Sequence, residues 1–400
     1  MKNLKSGDEV DIMGSIVLLD ELTINKIAAG EVVDRPASIV KELVENSIDA
    51  KASEIIIEIK NGGISYIKII DNGIGFASDD IQLAFERHAT SKIRQETDLL
   101  KITSMGFRGE ALASIAAVSK VVLVTKNKYE NNGLKVSVQA GSIQSIEDVA
   151  SVIGTKIEIR DVFFNVPARY KFLKKDYTEA GYIEDVIIRI ALSNPNIAFK
   201  YINNGKVVIQ TGANLTLKDT IYDIFGNEIY DNLISLDSEY NNVNVDGVIG
   251  LQTISRSTRM HQFTYINSRY IKDKVINSAI DKACQQKYPI NKYPFIILNI
   301  KLDPYHIDVN VHPAKLEVKF DDENLIFQSV YNSVNSALVK YDKLTSPFSN
   351  IIDKTLSNVD TISPNLIKVD TIKEEKEIYN IKTQQFDFDQ NSLKENNTTK

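Results

Sequence analysis

Apolar positions along the chain follow two different periods, and together they predict a mixed α/β protein. Some segments repeat apolar residues every three to four positions, as amphipathic helices do, and others alternate apolar and polar residues, as half-buried strands do. The predicted helices cover residues 37–50, 79–87, 110–118, 179–192, 217–225, 272–288 and 324–339. The predicted strands cover residues 54–60, 66–71, 120–125, 134–139, 155–161, 199–202, 206–210, 243–251, 262–266, 295–302, 309–311 and 316–319.

The same pattern divides the chain into two structured blocks and a polar tail. The first block ends near residue 215, and the second covers residues 216–340. After residue 341 the chain has neither glycine nor alanine and is rich in Asn, Thr, Lys and Asp, a composition typical of a solvated linker. We therefore expect two folded domains followed by a disordered tail over residues 341–400.

Composition excludes several classes of protein. Hydrophobic residues make up 43% of the 400 residues and charged residues 25%, which is normal for a soluble globular chain. No apolar run approaches the roughly 18 residues that a membrane helix needs. The single cysteine, Cys284, cannot form an intrachain disulfide, and with only four histidines a Cys/His zinc site is disfavoured. The sequence thus predicts a soluble protein of a reducing, cytoplasmic compartment that makes no membrane contact.

Chemically suggestive side chains lie on the first predicted helix. Glu42 and Asn46 are one turn apart, on the face opposite its apolar side. Such a face is usually only solvated. An amide oxygen, however, suits a hard cation such as Mg²⁺, and a carboxylate beside it could orient or deprotonate a water molecule.

Glycines concentrate between residues 62 and 109, which holds six of the eighteen. Asp71-Asn72-Gly73-Ile74-Gly75 follows a predicted strand, where a carboxylate could meet a ligand, although this string is also a generic turn. The string 106–112 joins glycines to a helix start, where backbone N–H groups can bind phosphate. Neither a dinucleotide fingerprint nor a P-loop is present.

These strings, with Gly154-Thr155, resemble the four nucleotide motifs of the GHKL ATPases, a superfamily that includes gyrase B-type topoisomerases, heat-shock chaperones and sensor histidine kinases. Six strings resemble one member family in particular, the MutL family of DNA mismatch repair. They cover residues 27–33, 35–38, 87–92, 106–112, 165–169 and 308–315. The resemblance extends over residues 13–340 and implies a GHKL-type α/β sandwich over 13–215, followed by a ribosomal-protein-S5-like domain over 216–340. Residues 1–12 would be an extension.

The resemblance also implies roles for particular residues. Glu42 would be the general base, Asn46 would hold Mg²⁺, and Asp71 would accept the adenine amino group. Lys315 of the second domain would reach the γ-phosphate, and residues 83–108 would form a lid. The expected nucleotide-binding residues are Asn46, Asp71, Gly73, Gly75, Thr90, Ser91, Lys92, Gly106, Phe107, Arg108, Gly109, Glu110, Ala111, Leu112 and Thr155.

The function implied by the resemblance is that of a Mg²⁺-dependent ATPase that couples mismatch recognition to later repair steps. Expected partners are DNA, a MutS-type mismatch-recognition protein, a downstream nuclease or helicase, and a second copy of the chain joined through its N-terminal region on ATP binding. We expect the protein with the bacterial nucleoid. The endonuclease motif of some members is absent, so nuclease activity is not expected. Two alternatives stay open: an ATP-gated scaffold whose hydrolysis is incidental, and a topoisomerase- or chaperone-like relative.

A basic stretch in the second block predicts where DNA binds. The chain has a net charge of −6, yet residues 253–292 carry eight lysines and arginines against two aspartates. Such a stretch is often only a solvated face, but the resemblance implies sequence-independent DNA binding by this domain. The candidate contacts are Arg256, Arg259, Arg269, Lys272 and Lys274. Directly before Arg269, Ser268 replaces a glycine that is frequent in the family, which puts the geometry of the turn Asn267-Ser268-Arg269 in question.

Overall fold

The computed structural model describes residues 29–30, 32–92, 109–308 and 318–345. These residues belong to one compact unit that ends at Thr345. Within it, two β-sheets each carry helices, so the predicted α/β class is confirmed.

The first sheet has eight strands in the order β5-β4-β3-β6-β2-β1-β7-β8. Neighbouring strands are antiparallel except β1 and β7, which are parallel. The strands are β1 (Glu54–Lys60), β2 (Tyr66–Asp71), β3 (Lys120–Lys126), β4 (Gly133–Gln139), β5 (Ser142–Val149), β6 (Gly154–Arg160), β7 (Ala198–Asn203) and β8 (Lys206–Gln210).

Helices cover one face of this sheet and bury its apolar side chains. Along β1, β2, β3 and β6, buried residues alternate with partly exposed ones, as expected for a sheet with one covered face. The buried side chains pack against three helices in a single core. These helices are α1 (Pro36–Asp49), α2 (Ala111–Ala117) and α4 (Asp176–Ser193); the short α3 (Pro167–Tyr170) precedes α4.

The second sheet has five strands in the order β12-β11-β13-β10-β9, and β11 and β13 are its parallel pair. Its strands are β9 (Leu233–Tyr240), β10 (Val243–Gly250), β11 (Gln262–Ile266), β12 (Arg269–Ile271) and β13 (Ile296–Lys301). The helices of this block are α5 (Leu217–Phe225), α6 (Asn227–Tyr230), α7 (Lys274–Cys284) and α8 (Glu323–Thr345), and β14 (Ile307–Asp308) pairs with β15 (Lys319–Phe320). None of the described helices is both long and apolar enough to cross a membrane.

Most predicted elements are present, with three differences. Residues 79–87 form two separate 3₁₀ turns, Ser78–Asp80 and Leu83–Phe85, rather than a helix. Six elements were not predicted. Strands β5 and β9 are largely exposed and lack a regular apolar alternation, and β12, β14, α3 and α6 are only two to four residues long. The predicted helix 272–288 begins only at Lys274, because the Asp273 carboxylate caps its N-terminus by accepting from Ile276 N–H at 2.9 Å. The strand predicted at 309–311, residues 316–317 of the strand predicted at 316–319, and the tail from 346 lie outside the described residues; the end of the second strand is present in β15.

Candidate functional site

Helix α1 presents its core and its chemistry on opposite faces. It begins at Pro36. Proline lacks an N–H group, but this costs no hydrogen bond because the first N–H groups of a helix have no intrahelical partner. Ile39, Val40 and Leu43 are buried in the core, which places Glu42 and Asn46 on the other side. The Lys41 ammonium pairs with Glu42 and with Glu45, each at 3.1 Å. Glu42 is therefore held in an ion pair beside its predicted site.

The Asn46 amide oxygen already has a cation against it. Lys92, from the segment after β2, donates from Nζ to Asn46 Oδ1 at 3.0 Å and also pairs with the Asp49 carboxylate. The structure thus brings together three of the predicted residues, since Glu42 lies one turn from Asn46 on the same helix. It also adds Asp49, which the sequence did not single out. This end of α1 attracts a positive charge.

Asp71 ends β2 and lies almost wholly inside the protein, 9% exposed. Its Oδ1 accepts from Gly73 N–H at 2.9 Å, and its Oδ2 accepts from the Ser47 hydroxyl of α1 at 2.8 Å. Burial raises the pKa of Asp71 above its ordinary value, although hydrogen bonds from Gly73, Ser47 and the Thr155 backbone oppose the shift. A carboxylate has about four lone-pair positions, so three donors leave capacity for one more.

The glycines after Asp71 let neighbouring backbones approach closely. A Cβ on Gly73 would lie 2.8 Å from the Ala50 carbonyl oxygen, and one on Gly75, at φ +70°, would lie 2.2 Å from the Lys126 carbonyl oxygen. The Asn72 side chain fixes the same loop by accepting from Ser53 N–H at 2.9 Å. These glycines are required by the protein's own packing around Asp71.

Thr125 is a site residue that sequence reasoning missed. It is 2% exposed; its hydroxyl accepts from Phe76 N–H at 2.9 Å and lies 3.1 Å from the Gly154 carbonyl oxygen and 3.3 Å from Thr155 Oγ1. Thr125 thereby joins the loop after Asp71 to β6, which carries Thr155. A lone threonine within a strand has no motif around it, so no sequence signal distinguishes it.

Two predicted phosphate-binding segments meet at Gly109. A Cβ there, at φ +64°, would lie 2.3 Å from the Ala89 carbonyl oxygen. Glu110 precedes α2 and pairs with His88 at 3.2 Å and with Arg87 at 3.6 Å. Ala111 and Leu112 begin α2, and Thr90 accepts from Lys92 N–H at 3.2 Å beside the exposed Ser91. Gly106, Phe107, Arg108 and Lys315 lie outside the described residues.

The five candidate DNA contacts have different surroundings. Arg256, Lys272 and Lys274 are exposed. Arg259 is engaged with its own domain: its Nη1 donates to Asp281 at 2.9 Å and its guanidinium lies 4.1 Å from the centre of the Tyr293 ring. Arg269 is partly buried, and its Nη1 is excluded from solvent. As DNA contacts, all five stay predictions.

Comparison with known families and proteins agrees with this architecture. Residues 35–165 match the family described as histidine kinase-, DNA gyrase B- and HSP90-like ATPase, and residues 221–339 match the DNA mismatch repair protein C-terminal domain. The chain is 46% identical over 381 residues to the DNA mismatch repair protein MutL of Thermoanaerobacter pseudethanolicus, covering 95% of this chain and 58% of that protein. It is 50% identical over 323 residues to the MutL of Clostridium acetobutylicum, covering 81% of this chain and 52% of that protein.

Solved structures give the same result. The crystal structure of the N-terminal domain of a DNA repair protein superposes with a TM-score of 0.69 at 25% identity, covering 81% of this chain and all of that one. The Aquifex aeolicus MutL ATPase domain complexed with ADP superposes with a TM-score of 0.54 at 28% identity, covering 68% of this chain and 94% of that one. The chain spans somewhat more than half the length of the curated relatives it matches. On these matches and the geometry above, the chain belongs to the MutL family of DNA mismatch repair proteins.

Proposed function

We propose that this chain binds and hydrolyses ATP with Mg²⁺ between α1 and the end of β2, and that it acts as an ATP-dependent switch in DNA mismatch repair. The observation that carries the proposal is the placement of Asp71, Asn46 and Glu42 along one helix and the adjoining strand end. Ser47 links the two elements through its bond to Asp71. The ADP complex of the related Aquifex aeolicus domain supports a nucleotide at this place.

Asp71 is suited to the adenine end of the nucleotide. Its carboxylate is fixed by Ser47 and Gly73 and can accept one further donor, which the adenine amino group would supply. Thr155, which pairs with Asp71 across β2 and β6, lies beside it. A buried acceptor with fixed partners discriminates strongly, because a base without a matching donor would leave it unpaired.

Asn46 is suited to Mg²⁺ at the phosphate end. Its amide oxygen and the Asp49 carboxylate already hold the Lys92 ammonium, so the position accommodates a cation. Mg²⁺ usually takes few protein ligands and completes its coordination with water and substrate phosphates. Mg²⁺, when bound, would neutralise charge on the phosphates. Lys92 would then turn from Asn46 towards the phosphates.

Glu42 would act as the general base. Lys41 orients its carboxylate, and an ionised carboxylate one turn from Asn46 can accept a proton from the attacking water. The two domains would cover residues 13–215 and 216–340. Lys315 of the second domain would contact the γ-phosphate, so that this domain responds to ATP. DNA, a MutS-type protein, a downstream nuclease or helicase and an ATP-dependent second copy would be the partners, on the nucleoid in the cytoplasm.

The test separates chemistry from binding. Glu42→Gln should lower ATP turnover by about 10²–10⁴-fold and leave ATP affinity within about threefold, because the base does not contact the adenine. Glu45→Gln is the matched control: it removes the other partner of Lys41 and should cost far less turnover. EDTA should abolish turnover in all variants. Equal losses in both variants, or lost ATP affinity in Glu42→Gln, would contradict the role given to Glu42.

A further inference from the structure

The second sheet contacts the first block through a hairpin that the sequence did not reveal. Strands β11 and β12 are joined by Asn267 and Ser268, both with positive φ, 48° and 68°. Asn267 fixes this turn to the end of β13: its Nδ2 donates to the Leu302 carbonyl at 2.9 Å, and its Oδ1 accepts from Leu302 N–H at 3.2 Å. Arg269 is the first residue after the turn, so the conformation of the turn determines the position of the Arg269 Cα and Cβ atoms.

Helix α4 holds the same hairpin from the other side. The Tyr265 hydroxyl of β11 donates to the Arg189 carbonyl of α4 at 2.7 Å. The Arg189 guanidinium lies 4.4 Å from the centre of the Tyr270 ring of β12, and the rings of Tyr265 and Tyr270 meet edge to face at 5.8 Å. Because α4 also packs on α1, one helix holds both α1 and the hairpin.

We infer that Arg269 is a positioning residue of the ATP site, through which the second sheet acts on the acidic side of α1. Its partners in electrostatic interaction are Glu45, Asp49 and Glu42, the last being the proposed general base. The role assigned to Glu42 rests on the proposed function above, whereas the contact between hairpin and helix does not.

The surroundings of Arg269 favour this role over a phosphate contact. Burial lowers the pKa of Arg269, and the charges of Glu45, Asp49 and Glu42 oppose that shift. An arginine stays charged in proteins, so a partly desolvated guanidinium needs nearby carboxylates. Its Nη1 is excluded from solvent, whereas Lys272, three residues later, is exposed. The exposed Lys272 side chain can therefore reach a DNA phosphate, whereas Arg269 would have to leave its partly buried position first.

Charge balance explains what Arg269 could transmit. The carboxylates of Glu42, Glu45 and Asp49 interact with Lys41 and Lys92 of the first block and with Arg269 of the second. A change of charge at this face is therefore felt by the hairpin, and a displaced hairpin changes the field around Glu42. Positioning of the base then depends on the second sheet.

A double-mutant cycle in the nucleotide-free full chain tests the contact. Arg269→Gln should lower the thermal midpoint by about 2–4 °C. In a Glu45→Gln background the same substitution should lower it by less than half as much, because its partner is already neutral. Lys272→Gln, the exposed control on the same hairpin, should change the midpoint by less than about 1 °C in either background. Arg269→Met, which also removes the charge, provides the same cycle should Arg269→Gln fail to fold.

ATP hydrolysis provides the second measurement. Arg269→Gln should lower kcat about tenfold with KM within about threefold, since the carboxylates that act on Arg269 are those of Glu45, Asp49 and Glu42 and do not include Asp71. Arg269→Lys should recover part of kcat. Equal midpoint shifts with and without Glu45 would overturn the proposal. The proposal would also be overturned if Arg269→Gln left the thermal midpoint unchanged and lost more DNA affinity than Lys272→Gln. Because the cycle uses no nucleotide, its outcome is independent of whether the chain hydrolyses ATP.

Discussion

The function proposed for Asp71 conflicts with stability. Its carboxylate is buried, and burial raises its pKa despite three hydrogen-bond donors. Holding it ionised at neutral pH therefore costs folding free energy. A buried charge of this kind is retained where a ligand uses it, and here the ligand would be the adenine amino group.

The conflict can be measured with Asp71→Asn, which preserves shape and removes the charge. ATP affinity should fall by roughly 10- to 100-fold, because a charged hydrogen bond is worth about 1.5–3 kcal/mol. Without ATP, the variant should be at least as stable as the unsubstituted chain at neutral pH. Calorimetry of binding and of unfolding would measure the two effects separately.

The pH dependence provides the control. A raised pKa in the folded chain means that the contribution of Asp71 to stability is fully present below its unfolded pKa and is lost as pH rises through the folded value. The thermal midpoint of Asp71→Asn minus that of the unsubstituted chain should therefore become more positive as pH rises through the range in which carboxyl groups titrate. A difference that does not change with pH would contradict the raised pKa of Asp71, and unchanged ATP affinity would place the nucleotide elsewhere.

Among the elements, the hairpin of β11 and β12 shows what periodicity can and cannot predict. Strand β11 is buried throughout, and it was predicted with its bounds. Strand β12 has only three residues within a basic stretch, too few for a period to appear. Because β12 was missed, Arg269 could not be distinguished from the exposed lysines that follow it, although its side chain is partly buried and its Nη1 is excluded from solvent.

The turn of this hairpin offers a test of local strain. Ser268 has φ +68°, a conformation that glycine adopts without a steric cost and other residues do not. Ser268→Gly should therefore raise the free energy of unfolding by up to about 1 kcal/mol, measured in urea. Ser268→Ala removes the hydroxyl but keeps the Cβ, and it should give no gain. Equal effects of the two substitutions would mean that the backbone at this position is not strained.

The site itself could be predicted as a set of residues but not as a set of contacts. Motif order identified Glu42, Asn46 and Asp71, because each lies at a recognisable point of a helix or strand. Asn46 and Lys92, which are hydrogen-bonded, lie 46 positions apart in the sequence. Thr125 and Phe76, which form the junction near Thr155, lie 49 positions apart. Only the packed sheet brings such residues together, so no local pattern encodes them.

At the scale of the whole molecule, charge is unevenly distributed. The chain is acidic overall, yet Arg256, Lys272 and Lys274 are exposed in the second block. Local positive charge on an acidic protein can still bind DNA, because phosphate contacts release counterions whatever the net charge. Arg259 donates to Asp281 and Arg269 is partly buried, so among the five candidate DNA contacts the three exposed cations are tested first.

Charge reversal of Arg256, Lys272 and Lys274 to Glu should weaken binding to all DNA sequences alike, since phosphates carry no sequence information. Each lost phosphate contact should also flatten the slope of log affinity against log salt by about 0.7–0.9. Lys206→Glu, on the exposed edge strand β8 of the other sheet, makes the same change per residue and should leave the slope unchanged. If the triple variant keeps its slope, DNA must bind elsewhere. The exposed Lys171, Lys174 and Lys175 around α3 would then be reversed, because they form an exposed basic group in the first block.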